Sequence, residues 1–272
     1  MENPRAPVLR AERRLIYVYA LGACFSIIGL ICTAVSFGYW HFTLDECEGH
    51  PNSDQRHCGC LLFTESSTRL LIGGDTRICH FVEFSCIPGI AVGIIMAVWH
   101  WYRVAFVLNK APKPKRYRRR PVNAQDDIPG FAETVHRVEV VQKPSVVRIV
   151  TWLTVFFVVM VVGALSLASA VTITIGTVQS CQQYRENLIE TLSADGYMAA
   201  LIKDRLSCQA VFDFMDYLLP IKERYSANFI NTGVALQMAI VAIWFSAVTF
   251  IMGAVICFIE ALRGSRICCS RR

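Results

Sequence analysis

Charged residues are scarce in this 272-residue sequence: they make up 18% of the chain, against 54% hydrophobic residues. Roughly a quarter of an ordinary soluble domain is charged, so this composition argues against such a domain. The shortage is concentrated in four runs that contain no Asp, Glu, Lys or Arg at all. They cover residues 15–39, 84–102, 150–175 and 234–259. Helices on the surface of a soluble core would need polar faces, which these runs lack.

The four runs also lack the ionisable groups that transporters and pumps place inside the bilayer to bind an ion or relay a proton. Glu83, His100 and Glu260 lie only at the edges of runs, where their side chains can reach the interface. The sequence has no G-x-S-x-G, H-E-x-x-H, P-loop or G-x-G-x-x-G motif. It therefore predicts no charged transport path, no enzyme, no cofactor and no metal site, although it leaves open a pore made by several copies.

Each run is long enough to cross a bilayer, because a hydrocarbon core of about 30 Å needs about 20 helical residues. Backbone N–H and C=O groups in hydrocarbon must pair within their own segment, which makes these runs helices. The first run is too long for a cleaved signal sequence, whose apolar stretch has about 7–15 residues. We therefore predict four transmembrane helices.

Basic residues are distributed very unevenly among the segments that connect the runs. Of the 27 Lys and Arg residues, 19 lie in the two terminal tails and in the segment 103–148. The other two loops carry more acidic than basic residues. The positive-inside rule then places both termini and the middle segment in the cytosol. The net charge of +6 reflects this topology and does not indicate nucleic-acid binding.

The predicted fold class is all-α, a four-helix transmembrane bundle with a small, disulfide-tied and partly helical extracellular cap. The predicted segments are the N-terminal tail 1–14, span one 15–39, outer loop one 40–80, span two 81–102, the inner loop 103–148, span three 149–177, outer loop two 178–232, span four 233–260 and the C-terminal tail 261–272. We expect the protein to reside in the plasma membrane.

Half of the twelve cysteines fall in the two outer loops. These six are Cys47, Cys58, Cys60, Cys79, Cys181 and Cys208. Disulfides persist in an oxidising compartment, so an even number there indicates up to three bonds. Fifteen pairings are open, although a bond between Cys58 and Cys60 would be strained. The pairing we favour is Cys181–Cys208, Cys60–Cys79 and Cys47–Cys58.

Zinc is the competing interpretation of outer loop one. Its candidate ligands, which are close in sequence, are Cys47, His50, His57, Cys58 and Cys60. Zinc binds thiolates, whereas an oxidising compartment favours disulfides, so we prefer the disulfides.

Two further cysteines, Cys268 and Cys269, lie about eight residues past the last span and are flanked by arginines. A cytosolic cysteine next to a span is a candidate for S-palmitoylation. Two unmodified thiols would fit the same sequence.

The inner loop contains a polybasic stretch, 110–120, that prolines and like charges will keep extended. We expect its side chains to contact anionic lipid, where each is worth about 1 kcal/mol. The basic residues concerned are Lys113, Lys115, Arg116, Arg118, Arg119 and Arg120. Topology determination alone is the other interpretation.

Outer loop two has helical periodicity from residue 182 to residue 219, in three apolar stripes. Gly196 separates the first two stripes, and Pro220 ends the third. We predict two or three short amphipathic helices outside the membrane, held by Cys181–Cys208.

Small residues recur in the spans, and Gly89 with Gly93 forms a G-x-x-x-G pattern in span two. Such residues let two helices approach closely. We expect them to serve the packing of a four-helix bundle within one chain, and a seam between two copies is the alternative.

The hexapeptide Cys60-Leu-Leu-Phe-Thr-Glu65 lies in outer loop one, and Trp99-His-Trp-Tyr102 ends span two. Together with Cys79, Cys181 and Cys208, this arrangement resembles the transmembrane protein 179 family. The layout also resembles insect septate-junction tetraspan proteins. The resemblance implies a four-span fold in which Cys60, Cys79, Cys181 and Cys208 are the structural cysteines, and it implies no specific activity.

Three functions are compatible with the sequence. The first is a non-enzymatic membrane scaffold or cell-junction-type protein that acts through its extracellular loops. The second is an accessory subunit of a channel or receptor complex, and the third is a pore-forming homo-oligomer. The expected partners are the lipid bilayer, other membrane proteins and, in the third case, further copies of the chain.

Overall fold

The computed structural model describes residues 6–41, 58–66, 71–108, 146–209, 211–212 and 231–269. Four helical stretches are long and apolar enough to cross a membrane: Val8–His41, Thr76–Phe106, Ile149–Thr191 and Thr232–Arg263. Large apolar side chains on the outer faces of these helices are exposed, for example Ile95 at 62% and Phe157 at 63%. Exposed apolar surface of this extent needs hydrocarbon around it. The chain is therefore a multi-span membrane protein, as its sequence predicts.

The described part of the chain includes six helices and two strands, and residues 208–209 and 211–212 are also helical. In order, the six helices and two strands are α1 (Ala6–His41), β1 (Cys58–Ser66), β2 (Leu71–Asp75), α2 (Thr76–Phe84), α3 (Cys86–Tyr102), α4 (Val146–Thr191), α5 (Tyr197–Arg205) and α6 (Thr232–Cys269). A π-helical segment, Arg103–Leu108, continues α3. Within the bundle, α1 packs along α3 and α6, and α6 also packs along α4.

The membrane helices are longer than the spans predicted from the sequence. Helix α1 already begins at Ala6, α4 continues to Thr191, and α6 continues to Cys269. Charged residues mark where the hydrocarbon ends, but they do not end a helix, because the backbone hydrogen bonds of the helix continue equally well in water. None of these extensions contains a proline in its interior that would interrupt those bonds.

Span two is interrupted at Ser85, between α2 and α3. Pro88 explains the position, because proline has no N–H and its ring collides with the carbonyl of the residue four positions earlier, here Phe84. Helix α2 ends at Phe84, and the hydroxyl of Ser85 donates to the carbonyl oxygen of Val82 at 2.9 Å. The span therefore consists of two helical pieces.

The all-α prediction is wrong in one respect, because outer loop one contains an antiparallel two-stranded sheet. Cys60 lies opposite Gly74, and Glu65 lies opposite Ile72, with irregular register between these pairs. A Cβ atom on Gly74 would overlap the carbonyl oxygen of Leu62, so only glycine lets the two strands approach this closely. The irregular register hides the alternation by which a strand is recognised in sequence.

The described part of outer loop two, which leaves out residues 210 and 213–230, is mostly helical, but the first predicted apolar stripe lies at the end of α4 and does not form a separate helix. Most of the third predicted stripe lies between residues 213 and 219, outside the described residues. Helix α4 ends in a Schellman motif, in which the N–H of Ala194 donates to the carbonyl of Ile189 at 2.9 Å and that of Ser193 to Glu190 at 3.0 Å. Gly196, with φ +56°, is the N-cap residue that precedes α5. It breaks the periodicity where the sequence predicts a break.

The predicted G-x-x-x-G pattern packs within the chain. A Cβ added to Gly89 would lie 2.6 Å from the hydroxyl oxygen of Ser26. A Cβ added to Gly93 would lie 2.9 Å from the Cβ of Ala23. Both glycines therefore let α3 lie close against α1. The same Ser26 hydroxyl lies 2.8 Å from that of Ser246, so this residue also joins α1 to α6.

Buried side chains form two clusters, one at each end of the bundle. The cluster at what we call the cap end surrounds Trp40, Leu62 and Phe212 and includes the hairpin. The cluster at the other end, which we call the terminal end, surrounds Tyr19, Trp152 and Phe250. The hairpin and the disulfides lie at the cap end, and a buried cluster of ionisable side chains lies at the terminal end.

Candidate functional site

The hairpin of β1 and β2 is seated on the part of α4 that carries Gly176 and Ser180. The Ser180 hydroxyl donates to the carbonyl of Leu61 and accepts from the N–H of Thr64, both at 3.0 Å. An added Cβ on Gly176 would lie 2.8 Å from the Cβ of Leu62, so the hairpin needs a glycine beneath it. Helix α4 is thus the support on which the cap is built.

Two disulfides hold this cap, and both belong to the pairing favoured from the sequence. Cys60 in β1 is bonded to Cys79 in α2, 19 residues later. Cys181 in α4 is bonded to Cys208, which follows α5 and is 27 residues later. The first bond ties the hairpin to the start of span two, and the second ties the chain beyond α5 back to α4.

The remaining cysteine predictions for outer loop one concern the pair Cys47–Cys58 and the zinc site. Cys47 and the side chain of Cys58 lie outside the described residues. Cys60 is bonded to Cys79, and a disulfide sulfur is not the thiolate that zinc binds. Among the residues that the structure describes, no group of three His, Cys, Asp or Glu side chains could hold a metal ion.

The tip of the cap, which we define as Leu192, Tyr197 and Met198, presents apolar side chains to its surroundings. Their exposed fractions are 60%, 77% and 56%. The α4 residues beyond position 177 carry this tip about 20 Å past the predicted end of span three. An exposed group of large apolar side chains has the character of a contact surface.

A cluster of ionisable side chains lies inside the bundle at the terminal end. Glu12 of α1 is fully buried, and His100 of α3 is 1% exposed. Nδ1 of His100 is hydrogen-bonded to Oε2 of Glu12. Nη2 of Arg103 lies 3.0 Å from Oε1 of the same carboxylate, so that Glu12 joins two groups of span two to α1.

Aromatic rings enclose this cluster. The ring of Tyr19 stacks on His100 with centroids 5.6 Å apart, and that of Trp152 does so at 5.9 Å. The guanidinium carbon of Arg103 lies 5.7 Å from the centre of the Trp152 ring, as in a cation–π contact. The imidazole stacks on two aromatic rings and is almost fully buried, which favours a structural role.

This cluster is not among the sites predicted from the sequence. Glu12 falls in the predicted N-terminal tail 1–14, and His100 is predicted to reach the interface, whereas the structure buries both side chains inside the bundle. The missed signal is helical register: continuing the buried stripe of α1 backwards from Tyr19 through Leu15 reaches Glu12 on the same face. Buried ionisable groups need partners, and those partners come from another helix.

The remaining predicted site residues fall where the structure gives no side chains. The polybasic residues Lys113, Lys115, Arg116, Arg118, Arg119 and Arg120 lie outside the described residues. Cys268 and Cys269 are described only as the helical backbone at the end of α6.

Comparison of this chain with protein-family models, with curated proteins and with solved structures finds no match.

Proposed function

We propose that this membrane protein is a non-enzymatic scaffold or cell-junction-type component that contacts other membrane proteins through its cap. The observation that supports the proposal is a cap that is held by two disulfides and carries exposed apolar side chains at its tip. A contact surface already held in one shape avoids the free-energy cost of ordering a loop on binding. Tyr and Met are both enriched in protein interfaces.

We propose the same orientation as the charge distribution predicts, with the cap outside the cell and both termini in the cytosol. The two disulfides support it, because they persist on the oxidising side of a membrane. The plasma membrane is the proposed location, and Cys268 and Cys269 are the proposed palmitoylation sites.

Membership of the transmembrane protein 179 family is likewise a proposal. It rests on the hexapeptide from Cys60 to Glu65, in which Cys60, Leu61, Leu62 and Thr64 are fully buried. These residues build β1 and attach it to α4, so a family sharing them would share the cap.

Cysteine labelling on intact cells tests the orientation. A membrane-impermeant maleimide is expected to label the Tyr197→Cys variant on intact cells, because this tip residue is 77% exposed. The Arg13→Cys variant, exposed at the terminal end, is expected to be labelled only after permeabilisation. Labelling of Arg13→Cys on intact cells would contradict the orientation, and labelling of Tyr197→Cys only after permeabilisation would contradict the plasma-membrane location.

Affinity purification from native membranes, together with staining of cell contacts, tests the scaffold role. The wild-type protein is expected to recover other membrane proteins and to be enriched at contacts. A tip variant carrying Leu192→Gln, Tyr197→Gln and Met198→Gln is expected to recover those partners at least tenfold less, because the buried centre of an interface carries most of its binding energy. The control variant changes two exposed charges of α5, Lys203→Gln and Asp204→Asn, and is expected to behave as wild type.

Other outcomes of the purification point to the other functions. Equal recovery by the tip variant and the wild type, or uniform staining of internal membranes, would contradict the proposal. Recovery of one channel or receptor in fixed stoichiometry would favour an accessory subunit. Conductance of the purified protein alone in a planar bilayer would favour a pore-forming oligomer.

A further inference from the structure

A groove at the terminal end of the bundle lies between the start of α1 and the end of the membrane-spanning part of α6. Its volume is about 320 Å³, which is within the range of small-ligand pockets. The charged side chains that line it are Arg10, Arg14, Glu260 and Arg263, and its apolar lining includes Ile256 and Ile259. It is separate from the cluster around Glu12, whose carboxylate is directed towards α3.

The charge in the groove is positive. Arg10 and Arg14 are four residues apart and therefore follow one another on the same face of α1. On the opposite wall, formed by α6, Nη1 of Arg263 lies 2.6 Å from Oε1 of Glu260. The one carboxylate of the groove is therefore already paired. Arg14 makes no ion pair with any residue that the structure describes, and its charge is available to a bound anion.

The apolar part of the groove belongs to the lipid-facing surface. The side chain of Ile259 is 41% exposed, and that of Ile256 is half-buried between α6 and its neighbours. Both lie within the span Thr232–Arg263, whereas the arginines lie at the ends of the spans. An occupant that fits both parts has an anionic head beside the guanidinium groups and an apolar chain along the isoleucines.

We infer that this groove binds the headgroup phosphate of an anionic phospholipid. Guanidinium groups match phosphate oxygens with two parallel hydrogen bonds, and basic pockets between transmembrane helices hold phospholipid headgroups. In the proposed orientation the groove faces the cytosolic leaflet, where anionic lipid is concentrated. The binding itself does not depend on the role of the cap, and it differs from the contact predicted for the polybasic stretch because it is a single site with walls.

A lipid titration of the full-length protein in detergent micelles, followed by native mass spectrometry, tests the inference. The wild-type protein is expected to retain one phosphatidic acid molecule in a saturable way and to show no such preference for phosphatidylcholine. The double variant Arg10→Gln with Arg14→Gln is expected to bind phosphatidic acid about 25-fold more weakly, which is about fivefold for each arginine. The Arg13→Gln variant, whose arginine is exposed on α1 outside the groove, is expected to change affinity less than twofold.

Three results would overturn the inference. One is a wild-type protein that binds phosphatidylcholine as well as phosphatidic acid, a result that needs no variant to fold. Another is displacement of the lipid by inorganic phosphate at equal concentration, which would make the groove a site for a free anion. The third is a loss of the saturable lipid in a variant carrying Arg118→Gln, Arg119→Gln and Arg120→Gln while Arg10→Gln with Arg14→Gln retains it.

Discussion

The Glu12→Ala variant is expected to lose about 3–5 kcal/mol of its free energy of unfolding. Removing this carboxylate leaves the Arg103 guanidinium without its partner beside the bundle interior, and it leaves Nδ1 of buried His100 without an acceptor. The Nε2 atom of that imidazole is already buried without a hydrogen-bond partner in the described part of the chain. Denaturant unfolding of the purified protein in micelles measures the change.

The control is the Glu83→Ala variant, which removes a carboxylate that lies 3.8 Å from an exposed His80 side chain at the other end of the bundle. Exposed pairs contribute about 0–1 kcal/mol, so a small change is expected there. Changing the cluster as a whole, with Glu12→Leu, His100→Leu and Arg103→Met, is expected to restore most of the stability, because an apolar replacement leaves no group unpaired. Equal effects of Glu12→Ala and Glu83→Ala would show that the cluster does not hold the helices together.

Removing the disulfide between α4 and the chain after α5, with Cys181→Ala and Cys208→Ala, is expected to cost the cap about 3–4 kcal/mol. The bond joins residues 27 apart, and the cost follows from the loop entropy that it removes from the opened state. Because α5 itself has no buried residues, little else holds it in place. Amide hydrogen exchange of α5 is expected to accelerate by roughly 100- to 1,000-fold, while exchange in the spans stays unchanged.

A matched control replaces two cysteines of α1 that form no disulfide, with Cys24→Ala and Cys32→Ala. These changes are expected to leave exchange in α5 at the wild-type rate. If the Cys181→Ala and Cys208→Ala variant also exchanged at the wild-type rate, the cap would be held by noncovalent contacts. The disulfide would then not be what keeps the proposed contact surface in shape.

The membrane spans and the two disulfide pairs could be predicted from the sequence, and the hairpin could not. A run of 25 or 26 residues without charge has one stable solution in a bilayer, whatever the rest of the chain does. The hairpin depends on Ser180 and Gly176 of α4, which are more than 100 residues away in the sequence. Strand β1 packs against these two residues. Local residue patterns do not carry that information, because the strands gain their partners only when α4 is in position.

What the sequence by itself determined is the number of spans and where the oxidisable cysteines lie relative to them, because hydrocarbon thickness acts on each segment separately. Only the tertiary structure decided which charged residues are buried. Glu12 has arginines at positions 10, 13 and 14 around it, yet helical register turns it inward while Arg13 and Arg14 stay exposed. His100, 88 residues further on, then arrives beside it, with Arg103. The free-energy cost of burying a charge is offset when another helix places a partner beside it. Which helix does so is decided only in the assembled fold.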